Sequence, residues 1–129
     1  MSSYPSDRKY TSEHEWARPA GDSATVGITR YAQESLGDVV YVELPKIGAV
    51  VAKGDQLGVV ESTKAVSELF APVSGTVTRV NDALVDAPET LAQSPHETWM
   101  VELRLSKPDE LDALLDAEAY AAHAAASAH

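Results

Sequence analysis

The chain has no cysteine, which removes disulfides, thiolate nucleophiles and zinc–thiolate sites together. Basic residues are also scarce, 10 against 20 acidic ones, for a formal net charge of −10. Such a balance argues against nucleic acid or an anionic membrane as the main partner. No apolar run approaches membrane-spanning length. The opening MSSYPSDRKY carries neither the apolar stretch of a signal peptide nor the Arg-rich helix of a transit peptide, which points to a bacterial cytoplasm. The serines lack a Gly-x-Ser-x-Gly elbow, and no Gly-rich phosphate loop is present. His14, His96, His123 and His129 are scattered, and His14 stands in HEW rather than HExxH, so no metal site is expected. His123 and His129 read as surface tail.

What is there fits a single domain: 129 residues, 44% of them hydrophobic, enough for one core and too few for a second ordinary domain. Residues 1–9 are polar, contain Pro5 and are expected to form a flexible N-terminus. From Tyr10 to Ile28 the pattern predicts short strands broken by a Gly21-Asp22 turn. Thr29 is placed to cap a short helix near 29–36, with Gly37 as its left-handed stop. Strands are predicted for Asp38–Leu44, Gln56–Glu61 and Thr76–Val80, and for Trp99–Leu105 by its alternation. Residues 81–98 show no steady period and read as loop with strand pieces. Ser106, Pro108 and the following acids mark a helix start. Leu111, Leu114 and Leu115 then share one face of a C-terminal helical segment, with residues 121–129 as a fraying Ala-rich tail. Short alternating strands of this kind make a sandwich or barrel, so the fold expected is mainly β. A weak echo between VVAKGDQLGVVES and VTRVNDALVDAPETLAQS suggests two related halves with Lys64 at their joint.

Lys64 is the residue with unusual surroundings. Val59, Val60 and Glu61 lead into its turn, and Leu69, Phe70 and Ala71-Pro72 follow. A tight hairpin on buried strands would hold its amine at one fixed place, reachable by a modifying enzyme without unfolding. That suits a lysine acylated by a cofactor, with loss of its charge; a solvated surface lysine is the plainer alternative. Glu13, His14 and Glu15 could form an acid–base cluster. On an alternating strand, however, the two acids share a face and His14 points away, which predicts a solvated strand.

GVVESTKAVSELFAPVSG, with YTSEHEW, VGITRYAQESLGDVVYVELP and LLDAEAY, resembles the H proteins of the glycine cleavage system from about Tyr10 to Tyr120. The resemblance implies a lipoyl-domain-like barrel-sandwich hybrid of two small sheets, and a carrier rather than an enzyme, with no catalytic residue of its own. It implies lipoic acid joined covalently to Lys64, with Glu61, Ser62, Thr63 and Ala65 as the flanks read by lipoyl-attaching enzymes. The implied partners are a PLP-dependent glycine decarboxylase, a tetrahydrofolate-dependent aminomethyltransferase, and dihydrolipoyl dehydrogenase, which uses FAD and NAD. A loaded arm would be shielded in a cleft near Glu13, Glu15 and Glu68, with Glu15 pairing with the cationic amine. A monomer is expected. The chain departs from the family pattern at Ser94-Pro95-His96-Glu97-Thr98-Trp99, where His96 replaces an aromatic residue, and at Arg30 and Ala92. Neighbouring readings are a lipoyl or octanoyl relay carrier, or an unmodified interaction module. A biotinyl carrier would place methionine beside Lys64, where Thr63 and Ala65 stand; a 2-oxoacid dehydrogenase lipoyl domain would place Asp before it.

Overall fold

The computed structural model of the chain describes residues 4–127. Among them are nine strands: β1 (Lys9–Tyr10), β2 (Glu15–Ala20), β3 (Ser23–Ile28), β4 (Val39–Glu43), β5 (Val50–Val51), β6 (Gln56–Ser62), β7 (Val66–Phe70), β8 (Gly75–Val80) and β9 (Val101–Leu105). Four α-helices accompany them: α1 (Arg30–Leu36), α2 (Ala83–Asp86), α3 (Glu89–Gln93) and α4 (Ala117–Ser127). The strands form two antiparallel sheets, one in the order β1-β2-β3-β9-β8-β5 and the other β4-β6-β7. Alternation puts Ala24 and Val26 of β3 and Val101 and Leu103 of β9 inside, as period-2 strands require. Val42, Val60 and Leu69 of the smaller sheet join Val26, Val101 and Leu103 in one core. The two inner faces therefore share a single apolar filling, as the mainly β reading expects.

Close approach of a neighbouring backbone fixes two positions as glycine. A Cβ on Gly58, beside a register shift in β6, would lie 2.2 Å from the carbonyl oxygen of Glu43. On Gly75 it would lie 2.4 Å from that of Arg104. The helix expected near 29–36 is present with its caps. Thr29 Oγ1 accepts the Ala32 N–H at 3.3 Å, and Gly37 takes φ +80°.

Several expectations change. Residues 81–98 carry α2 and α3 instead of strand pieces. Each is about one turn long, too short to show a period, and forms by burying one leucine, Leu84 or Leu91. Residues 50–62 thus run strand–turn–strand, while 77–94 run from a strand into helices, so the sequence echo is not a structural repeat. The C-terminal helix is not continuous. Pro108–Ala113 is a 3₁₀ helix preceded by Lys107 rather than capped by Ser106. The backbone then extends, and Tyr10 and Leu115 exchange two N–H···O bonds of 2.8 Å. Leu111 and Leu114 pack on the main core, but Leu115 joins a second, aromatic cluster.

The expected flexible stretch 1–9 is packed from Tyr4 onward; residues 1–3 lie outside the described residues. Tyr4 stands edge-on to Tyr10, Tyr120 and His96. Tyr10 donates its hydroxyl to Pro5 O at 2.5 Å. Arg8 is buried, with its guanidinium 4.6 Å from the Trp16 ring centre. In the expected Ala-rich tail 121–129, residues up to 127 continue α4, which buries Ala124; 128–129 lie outside the described residues.

Candidate functional site

Lys64 sits at the tip of the β6–β7 hairpin, side chain exposed. Ser62 shapes the turn. Its Oγ accepts the N–H groups of Lys64 (3.3 Å) and Ala65 (3.0 Å) and donates to Ala65 O (3.1 Å). This is the local side-chain-to-backbone bonding that serine favours in turns. The Ser62 N–H also donates to Ala65 O at 2.8 Å, and the Thr63 N–H reaches back to Asp38 O at 3.3 Å. Glu61 pairs with Val66 across the hairpin. The Lys64 side chain lies across Gly37, where a Cβ would stand 3.6 Å from Cε and 4.0 Å from Nζ. The lysine stem therefore runs within van der Waals reach of the helix stop. The amine is exposed, and the backbone beneath it is fixed.

A second feature lies at the other end of β7. A cleft of about 600 Å³ is lined by Thr11, Ser12, Glu13, Glu15, Phe70 and Leu115, among others. Glu13 and Glu15 do not flank His14 on an alternating strand. The Thr11 hydroxyl oxygen accepts the N–H groups of Glu13 (3.2 Å) and Glu15 (3.1 Å), turning the chain before β2 begins. Glu13 stays exposed. Glu15 is 3% exposed, so the expectation of a solvated strand is corrected there. Its Oε1 accepts from Thr11 Oγ1 at 2.7 Å, and its Oε2 accepts the Phe70 N–H at 3.0 Å. Burial pushes its carboxyl up to about 7, although both hydrogen bonds favour the charged form. Glu68 is exposed and outside the lining. Period 2 nevertheless puts Val66, Glu68 and Phe70 on one face of β7, a face running from the Lys64 turn to the cleft.

Three positions acquire roles that sequence patterns did not assign. His14 Nδ1 lies 2.7 Å from Tyr120 Oη. His123, expected as surface tail, stacks on His14 with ring centres 5.4 Å apart and places Nε2 3.0 Å from Ser12 O. His96, in the departing loop, accepts the Arg30 N–H on Nε2 at 3.1 Å, and so caps the start of α1. Burial, with the Arg8 and Arg30 charges beside it, lowers His96 to about 4. In the same loop Pro95 O accepts the Trp16 Nε1–H at 3.1 Å, and His96 O accepts from Arg8. Spacing could not reveal these contacts, because each joins residues far apart in the chain. Among the described residues no group of three or more His, Cys, Asp or Glu is arranged to hold a metal ion. No helix of the described residues is long and apolar enough to cross a membrane.

The family model for the glycine cleavage H-protein matches residues 8–127. The chain belongs to the glycine cleavage H-protein family. Among the H-protein family's curated members, it is 60% identical over 119 residues to the glycine cleavage system H protein of Anaeromyxobacter sp. (strain K), covering 92% of this chain and 93% of that one. It is 54% identical to the H protein of Thermus thermophilus over 117 residues, with 90% and 91% covered. The fold agrees with a crystal structure of a glycine cleavage system H protein from Mycobacterium marinum. The TM-score is 0.83 at 43% identity, with 92% of this chain and 96% of that chain covered. The two sheets, the exposed hairpin lysine and the cleft are thus features of an H-protein family member.

Proposed function

We propose that the chain is the lipoyl carrier of a glycine cleavage system, with lipoic acid held as an amide on Lys64. The observation that supports this is an exposed amine on a turn fixed by Ser62, in a chain matched to the H-protein family over residues 8–127. The residues present suit the group. Lys64 is exposed at the hairpin tip, and the flanks Glu61, Ser62, Thr63 and Ala65 offer a lipoyl-attaching enzyme a preformed hairpin.

When bound, the group supplies a disulfide that accepts a carbon fragment and electrons from one enzyme and yields them to others, chemistry for which a cysteine-free chain has no side chain. This chain's own residues present, receive and shield. Ser62 orients the turn toward incoming active sites. The β7 face carrying Glu68 leads to the cleft, where Glu13 and Glu15 offer acids to a cationic terminus. A cation beside Glu15 draws its carboxyl back toward the ordinary range, so binding and ionisation reinforce one another. The partners are the PLP-dependent decarboxylase, the tetrahydrofolate-dependent aminomethyltransferase and dihydrolipoyl dehydrogenase. The chain serves them as a monomeric carrier in a bacterial cytoplasm, without catalysis of its own.

The test is intact mass after co-expression with a lipoyl ligase and lipoate, followed by peptide mapping. A gain of about 188 Da confined to the Lys64 peptide, absent in Lys64→Arg, is the expected result. A gain of about 226 Da would indicate biotin. Folded protein with no gain beside an active ligase would overturn the reading.

A further inference from the structure

Behind the rim of the cleft, residues outside the carrier chemistry form a continuous polar chain. His14 has φ +71°, a left-handed backbone uncommon for any residue other than glycine. Its N–H donates to Thr11 O (3.2 Å), and its carbonyl accepts the Thr29 N–H (3.0 Å). Its ring lies 4.4 Å from that of Tyr31 in α1. Nδ1 meets the Tyr120 hydroxyl at 2.7 Å, and that hydroxyl meets Thr29 Oγ1 at 2.7 Å. Thr29 is fully buried.

Proton bookkeeping settles the direction of the chain. Thr29 Oγ1 accepts the Ala32 N–H and has one hydrogen to give. If Thr29 donates to Tyr120, and Tyr120 to His14, every hydroxyl hydrogen has an acceptor. In the reverse direction Nδ1–H donates to Tyr120 and Tyr120 to Thr29. The Thr29 hydrogen then has no acceptor among its contacts in the described residues, a costly state in a buried site. We infer that Thr29, Tyr120 and a neutral, Nε2-protonated His14 form a directed hydrogen-bond chain that positions the Thr11–Glu13 rim of the cleft against α4. His123 supplies a second tie through Ser12 O.

The groups facing His14 are Tyr31 from α1, Tyr120 and His123 from α4, and Glu13 from its own turn. Protonating His14 forces the unfavourable direction and places a charge beside the His123 ring. Burial, followed by His123, holds His14 below its ordinary range. Tyr120 stays protonated because burial raises its phenol. These are positioning residues. Their effect on a shielded group rests on the carrier reading, whereas the chain itself is measurable in unmodified protein.

The test uses the full, unmodified, isotope-labelled protein. Long-range ¹H–¹⁵N spectra should show His14 with Nδ1 bare and Nε2 protonated. In Tyr120→Phe the tautomer preference should be lost. Amide exchange at residues 11–15 should rise about fivefold to tenfold, while β8 and β9 are unchanged. An Nδ1–H tautomer in the parent protein would overturn the inference, as would unchanged His14 signals and rim exchange in the variant. If Tyr120→Phe does not fold, His14→Asn cuts the same bond with a residue that tolerates left-handed backbone; unchanged rim exchange there would overturn it equally. None of these outcomes depends on whether Lys64 is lipoylated.

Discussion

Replacing Glu15 by glutamine isolates the energetic role of the buried carboxyl. Glu15 is raised from 4.5 to about 7, first by burial. The folded state therefore holds the proton more tightly than the unfolded one. The resulting stability is fully present below about pH 4.5 and is lost as pH rises through about 7. At about 1.4 kcal/mol per pH unit, the whole passage is worth about 3 kcal/mol, and most of it falls between about pH 4.5 and pH 7. Glutamine does not titrate. Its Oε1 can accept the Phe70 N–H, but its amide then faces Thr11 Oγ1, which already accepts two N–H groups. At low pH the variant should therefore be less stable by about 1–3 kcal/mol. Urea unfolding midpoints measured across this range should show the gap to the parent narrowing by about 2–3 kcal/mol toward high pH. His14 and His96 are lowered, so their stability is lost as pH falls below 6.5. Both are present in each protein, so they cancel in the difference. Parallel curves for the two proteins would refute this account of Glu15.

Three further outcomes are expected. Ser62→Ala removes the oxygen that orders the Lys64 turn; it should cost about 1 kcal/mol and slow lipoylation severalfold, read as mass gain against time. Gly58→Ala drives a Cβ into the Glu43 carbonyl. The cost should be about 3 kcal/mol, seen as a fall in melting temperature of about 10 °C. The net charge of −10 should make glycine cleavage at limiting carrier fall as salt is added, since long-range attraction to basic partner surfaces is screened; a salt-independent rate would contradict it.

Features whose causes are local were legible in the sequence. Thr29 and Gly37 bracket α1 by cap chemistry, and the hairpin at 62–65 follows from turn residues between two β-forming runs. Features with distant causes were not. Glu15 is buried because the Phe70 N–H, 55 residues away, supplies its second hydrogen bond. Alternation alone made it a solvated strand residue, and only the family resemblance gave it a role. The short helices α2 and α3 exist because Leu84 and Leu91 find space in the core, which no period of four or five residues can announce. Leu115 leaves the helical pattern because Tyr10 competes for both of its backbone groups.

The pairing of Tyr10 with Leu115 also sets an order on synthesis. The hairpin bearing Lys64 closes between near neighbours, so it can form while much of the chain is still on the ribosome. The cleft closes only when the segment around Leu115 and Tyr120 emerges to meet residues made at the very start. Until then β1 has only β2 beside it, and the rings of Tyr10 and Trp16 stay open to other chains. A chain cut short before Leu115 would keep the lysine hairpin and lose one wall of the cleft; under the proposed carrier function it would offer its amine for modification without shelter for what it carries.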